Sequence, residues 1–199
     1  MDTIVLETSD GHRLAGDLSR PAGDAVGGVV VCHPHPLYGG NRFNPVVDAV
    51  FDALPHAGFA VIRFDFRSQH DHGRGERFDV IAALDALSAE LGDAVPLYAV
   101  GYSFGAMVTL TTDDPRIGAR VVIAPPIVEP LAAPGSPVLA LVPRHDQFAP
   151  PERIIEATAD WPEVEIEVIE SADHFLAGHT TAVAERATTW LSARAGTAG

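Results

Sequence analysis

Lysine is missing from this sequence: all 13 basic residues are arginine. Schiff-base chemistry and a pyridoxal phosphate anchor both need a lysine amine, so both are excluded. Cysteine occurs once, as Cys32, which rules out an internal disulfide and a cysteine-rich metal site. Its place in the apolar run GGVVVCH reads as that of a small buried hydrophobe. No apolar run reaches the roughly 18 to 20 residues that span a bilayer. The opening residues, MDTIVLETSDGHR, lack the basic and apolar segments of a secretory signal, which predicts a cytoplasmic protein with no membrane partner. Positive charge is outweighed throughout: the net charge is −14, and a chain this acidic repels the nucleic-acid backbone. There is no internal repeat and no low-complexity linker.

What is present suits one domain over residues 1–199, with 47% hydrophobic residues to fill a core. The opening segment predicts an antiparallel hairpin, in which TIVLET and HRLAGDLSR flank an Asp10-Gly11 turn. Short apolar runs then alternate with helical patterns. Strands are expected at Gly28–His33, Ala60–Asp65, Pro96–Gly101, Ala119–Ala124, Val138–Pro143 and Val164–Ile169. Mostly continuous apolar runs of this kind suit strands covered on both faces. One helical stripe is Val46, Val47, Val50, Phe51 and Leu54; a second is Val80, Ile81, Leu84, Leu87 and Leu91. A third is Val183, Ala187, Trp190 and Leu191, with Thr180 or Thr181 as N-cap. The alternation predicts an α/β fold: a mostly parallel central sheet with helices on both faces. Ligands of such sheets bind at the carboxyl ends of the strands.

Ser103 stands at one of those ends, in the stretch AVGYSFGAM. A sharp turn from strand to helix strains the central residue, and Gly101 and Gly105 leave room on either side of it. The spacing G-x-S-x-G in that context is a nucleophile elbow, whereas the plainer reading makes Ser103 an ordinary helix cap. The partners decide between the two. A hydroxyl needs a base, and the base needs an orienting acid. After such an elbow the acid precedes the histidine in the chain. His174, in SADHFL, follows the last expected strand, and Asp146 follows PVLALVP. Asp173 adjoins His174, and adjacent side chains in a loop diverge, so Asp146 is the expected acid. His145 and His179 fit less well. Ser103, Asp146 and His174 thus form the expected triad, each placed after a different strand.

Acyl transfer also needs two donors to the carbonyl oxygen. The backbone N–H of Phe104 is one. The loop HPHPLYGG offers the other: Pro34 and Pro36 have no N–H, which leaves His35, with Leu37 and Tyr38 as alternatives. Several other groups invite a chemical reading and have a plainer one. His33 and His35, or His70, Asp71 and His72, suggest metal ligation but read as loop hydrogen bonding and a solvated loop. Asp65 and Arg67 read as a structural ion pair. Arg42 and Arg144 flank the expected site and are set either to attract an anionic substrate group or to pair on the surface. The proline-rich APPIVEPLAAPGSP is unsuited to a helical lid, so no inserted cap is expected. The open pocket is expected to be walled by Leu37, Tyr38, Ile127, Val128, Leu131 and Phe148.

Together VVVCHPHPLYGGNRFNPVV, GFAVIRFDFRS, YAVGYSFGAMV, PRHDQF and ADHFL resemble the small α/β-hydrolases related to dienelactone hydrolases. The resemblance covers Gly28 to Trp190 and implies the α/β-hydrolase fold and the same triad. The chain departs from the dienelactone hydrolases at the elbow, where they carry cysteine. It departs again after FDFR, where SQHDHGRGE replaces the family's glycine- and serine-rich turn. The expected function is a serine hydrolase, a carboxylesterase for small or exposed esters that needs no cofactor and no metal. Thioesterase, lactonase or amidase chemistry uses the same groups, and a non-catalytic binding protein would keep the fold alone.

Overall fold

Runs of consecutive apolar residues become the inner strands of one sheet, because helices cover both of their faces. In the computed structural model, which describes residues 1–127, 129 and 131–196, every residue of β3 (Gly27–Cys32), β4 (Phe59–Phe64) and β5 (Leu97–Tyr102) is buried. β6 (Ile117–Ile123), β7 (Val138–His145) and β8 (Val164–Asp173) continue the sheet in parallel. The hairpin of β1 (Asp2–Glu7) and β2 (Arg13–Ser19) joins antiparallel against β4. The order across the eight strands is β1-β2-β4-β3-β5-β6-β7-β8. β8 lies at an edge, and its Glu165 and Glu167 discourage further strands from pairing there.

Successive strand residues point to opposite faces, and each face finds its own helices. Val29, Val31, Val100, Val121 and Leu141 meet α1 (Pro45–Ala53) and α5 (Thr180–Ala195). Val30, Cys32, Ile62 and Ala99 meet α2 (Glu76–Leu91). Val122, Ala140 and Val142 pack with α3 (Phe104–Thr111) and α4 (Pro151–Ala157). The start of α1 is fixed by Asn44, whose side chain accepts from Val46 N–H at 3.0 Å, with Pro45 at the first helical position. α5 starts differently from expectation. His179 is its N-cap with no side-chain bond, and Thr180 and Thr181 lie inside the helix. No helix of the described residues is long and apolar enough to cross a membrane.

Candidate active site

Ser103 connects the end of β5 to the start of α3 with φ 53° and ψ −115°. A non-glycine residue held there is strained, and the neighbouring glycines show what holds it. A Cβ on Gly101 would lie 2.3 Å from Gly105 O; one on Gly105 would lie 2.4 Å from Cys32 O. Neither backbone atom can yield, so both positions require glycine. The serine is further pinned by its N–H, which donates to Ile123 O at 2.9 Å.

Asp146 and His174 follow neighbouring strands whose ends pair again after a register shift beyond Pro143 and Ile169. His145 pairs with Asp173, so the next residue of each strand enters the site. β8 runs four residues past its expected end at Ile169, to Asp173, and that extension delivers His174. His174 Nδ1 lies 2.7 Å from Asp146 Oδ2, and Ser103 Oγ lies 2.9 Å from His174 Nε2. The carboxylate can only accept, so Nδ1–H donates to Asp146 and Nε2 is left to accept from the Ser103 hydroxyl. Asp146 Oδ1 accepts from Phe148 N–H at 2.8 Å and Ala149 N–H at 3.2 Å, which fixes the buried carboxylate. Tyr102 O–H donates to His174 O at 2.9 Å and holds that residue from its backbone; burial pushes the Tyr102 phenol pKa up to about 12. Asp173 faces away and accepts from Phe175 N–H. His145 is exposed, and His179 caps α5.

The HPHPLYGG loop abuts the elbow, since Gly105 sits against Cys32 O and His33 O. Leu37 N–H donates to His35 Nδ1, Tyr38 and Gly40 N–H to His35 O, and Gly39 N–H to Pro36 O. With the two prolines lacking an N–H, His35 has the one amide of residues 34 to 40 without a protein acceptor among the described residues. The loop is held at both ends. Buried His33 accepts from Phe66 N–H at Nε2, 3.0 Å, which makes Nδ1 the donor to Pro34 O at 2.6 Å. Burial lowers the His33 pKa and keeps this neutral tautomer. At the far end, Arg42 N–H donates to Asp65 Oδ1 at 2.9 Å, and the Arg42 guanidinium pairs with Asp65 and Asp17.

These pairings revise several expectations. Asp65 and Arg67 do not pair with each other. Arg67, almost fully buried, binds Asp79 and Asp10 instead. Arg42 is committed to its two aspartates and Arg144 to Glu170 and Glu152, so neither is a free anion clamp. Ile127 is 1% exposed and belongs to the core beside Ala106 and Ala140. Leu131 packs on that same cluster, and Val128 lies outside the described residues. Leu37 and Tyr38 stand exposed on the loop. Phe148 is exposed with its ring 4.6 Å from that of His174. Phe175, 63% exposed, joins it at 5.8 Å; its adjacency to His174 in SADHFL was the available signal. The 70–72 stretch is only partly solvated. His72 is exposed, but His70 is enclosed, with Nδ1 2.9 Å from Glu76 Oε1 and out of line for a hydrogen bond. No three His, Cys, Asp or Glu side chains among the described residues are grouped to hold a metal. A concavity of about 790 Å³ lined by Arg20, Asp24, Asp52 and His56 contains none of the triad and lies at the amino end of β4.

Residues 29–198 match the model of the Alpha/beta hydrolase family. An uncharacterized protein of Rickettsia prowazekii (strain Madrid E) is 34% identical over 123 residues, 58% of this chain. The match spans about half of that relative, 52% of its length. An alpha-beta serine hydrolase homologue from Coxiella burnetii shares the fold with a TM-score of 0.86 at 27% identity, over 96% of this chain and 97% of that one. A serine hydrolase without a lid, from Xanthomonas campestris, gives a TM-score of 0.82 over 95% of this chain and 94% of that one; its 24% identity makes this a likeness of fold. Matched from the first inner strand through the last helix, the chain belongs to the alpha/beta hydrolase family.

Proposed function

We propose that the protein is a serine hydrolase, a carboxylesterase that acts on small or exposed esters through an acyl-enzyme. The supporting observation is the continuous relay from Ser103 Oγ to His174 Nε2, 2.9 Å, and from His174 Nδ1 to Asp146 Oδ2, 2.7 Å. His174 takes the hydroxyl proton as Ser103 Oγ attacks the acyl carbon. Asp146 holds the imidazole in the required tautomer and stabilises its charged form. The developing oxyanion is received by the N–H groups of Phe104 and His35. Collapse of the tetrahedral intermediate breaks the ester bond, and His174 returns the proton to the leaving alcohol. Water then attacks the acyl-enzyme with His174 again as base, which frees the acid and restores Ser103.

The alcohol must leave beside His174, where the exposed rings of Phe148 and Phe175 stand. Leu37 and Tyr38 stand exposed on the oxyanion loop itself and are its contacts to the substrate. Turnover of p-nitrophenyl acetate should fall about 10⁴-fold or more in Ser103→Ala. A fluorophosphonate should label the wild type and leave that variant unmarked. Wild-type turnover in Ser103→Ala would remove the mechanism, and an unlabelled wild type would favour a ligand-binding role. A panel of esters, thioesters, lactones and amides separates the chemistries that share this triad.

A further inference from the structure

The segment SQHDHGRGE builds something more definite than a turn. Glu76 is fully buried, at 0% exposure. Burying a carboxylate is costly unless it is satisfied, and here it accepts from Asp71 N–H at 3.0 Å and Gly73 N–H at 2.9 Å. The same carboxylate lies against His70 Nδ1. His70 therefore rests on a fixed base. Its ring lies tilted against two others, 4.5 Å from the ring of His35 at an interplanar angle of 47° and 5.3 Å from that of Phe104 at 58°, and those two rings are 4.7 Å apart. One imidazole thus packs on both residues whose backbone N–H groups are proposed above to receive the oxyanion.

The peptide that carries the His35 N–H is held at its other end. Its carbonyl is Pro34 O, fixed by His33 Nδ1. No peptide bond among the described residues is cis, so this N–H points away from that carbonyl. His33 sets the tilt of the peptide plane, while the packing around the His35 side chain sets where the plane sits. That packing is supplied by the rings of His70, Phe104 and Tyr38.

We propose that His70, seated on Glu76, is a positioning residue that holds the Phe104 and His35 amides in register for the oxyanion. The proposal rests on the serine hydrolase reading above. Donors contribute most when they are already in place, and displacements near 1 Å cost about 100-fold in rate. Loss of the His70 ring lets the His35 peptide and the Phe104 ring drift apart. The transition state is then weakened, while ground-state binding of the ester is not.

The test compares His70→Ala and His70→Asn with wild type, using p-nitrophenyl acetate and a trifluoromethyl ketone whose adduct on Ser103 carries an oxyanion. Both variants should lose about 10-fold to 100-fold in kcat, with KM within about twofold, and affinity for the ketone should fall in parallel. His70→Phe, which restores a ring against His35 and Phe104, should recover most of the loss. His72→Ala, which removes the exposed outer ring of the row, should behave as wild type. Wild-type kcat and ketone affinity in the His70 variants, or a loss confined to KM, would overturn the proposal. Absence of both turnover and fluorophosphonate labelling in the wild type would overturn it together with the hydrolase reading. Labelled His70 variants with unchanged kcat would overturn this inference alone.

Discussion

His33 illustrates how a single side chain is bound to the state in which it works. It donates to Pro34 O, accepts from Phe66 N–H, and is 1% exposed, so a proton added at Nε2 would eject one partner. Burial holds its pKa below the ordinary 6.5. The unfolded chain therefore takes up a proton below pH 6.5 that the folded chain refuses, and stability falls with pH from there downward, by at most about 1.4 kcal/mol per pH unit for one proton. His35, lowered by burial and then by its neighbour His70, acts in the same direction. Urea unfolding measured from pH 7 downward should show this acid slope in the wild type. His33→Asn should be less stable at pH 7 but show a shallower slope; an unchanged slope would place the proton uptake elsewhere. Such a residue is hard to read from text, because its partners Pro34 and Phe66 are ordinary letters in other contexts. Ser103, Asp146 and His174 were legible for the opposite reason: each follows an apolar run, and their chain order carries meaning. His70 was read as solvated because the carboxylate beneath it lies six residues on, inside α2, and the rings beside it belong to the HPHPLYGG loop and to the first residue of α3.

Strands and helices show the same division. The inner strands were readable because burial on both faces leaves continuous apolar runs, and the hairpin because Asp10-Gly11 marks its turn. The edge strand β8 was underestimated because beyond Ile169 it reads Glu-Ser-Ala-Asp, which no apolar pattern announces; pairing with β7 carries it on. α4 escaped notice because its seven residues start at Pro151 and offer no period to count. The elbow itself depends on how closely α3 approaches the end of β3. In Gly105→Ala the new methyl would meet Cys32 O at 2.4 Å and His33 O at 2.6 Å. Overpacking of this kind costs about 1 to 3 kcal/mol, and here relief requires moving the strand end that launches the HPHPLYGG loop. Thermal unfolding should shift downward, and kcat should fall more than the stability change alone explains. Full activity in a folded Gly105→Ala would show that the contact is more yielding than the geometry allows.

Taken together, the chain sets the Ser103–His174–Asp146 relay within a strongly negative envelope. The charge of −14 opposes the approach of anionic substrates, and with Arg42 and Arg144 already paired little local cation offsets it. For an ester bearing a free carboxylate, kcat/KM should rise several-fold as salt is raised from about 0.01 M to 0.5 M, because the Debye length shrinks from about 30 Å to a few ångströms. A neutral ester of equal size should be indifferent to salt; equal salt dependence for both would point to a conformational cause. Cys32, the lone thiol, is wholly enclosed, and burial pushes its pKa up to about 12. It will stay silent toward maleimides while the fold is intact. In Phe175→Cys the new thiol would then be the single reactive sulfur, and a fluorophore attached there would sit beside the His174 ring and report any ligand that reaches it.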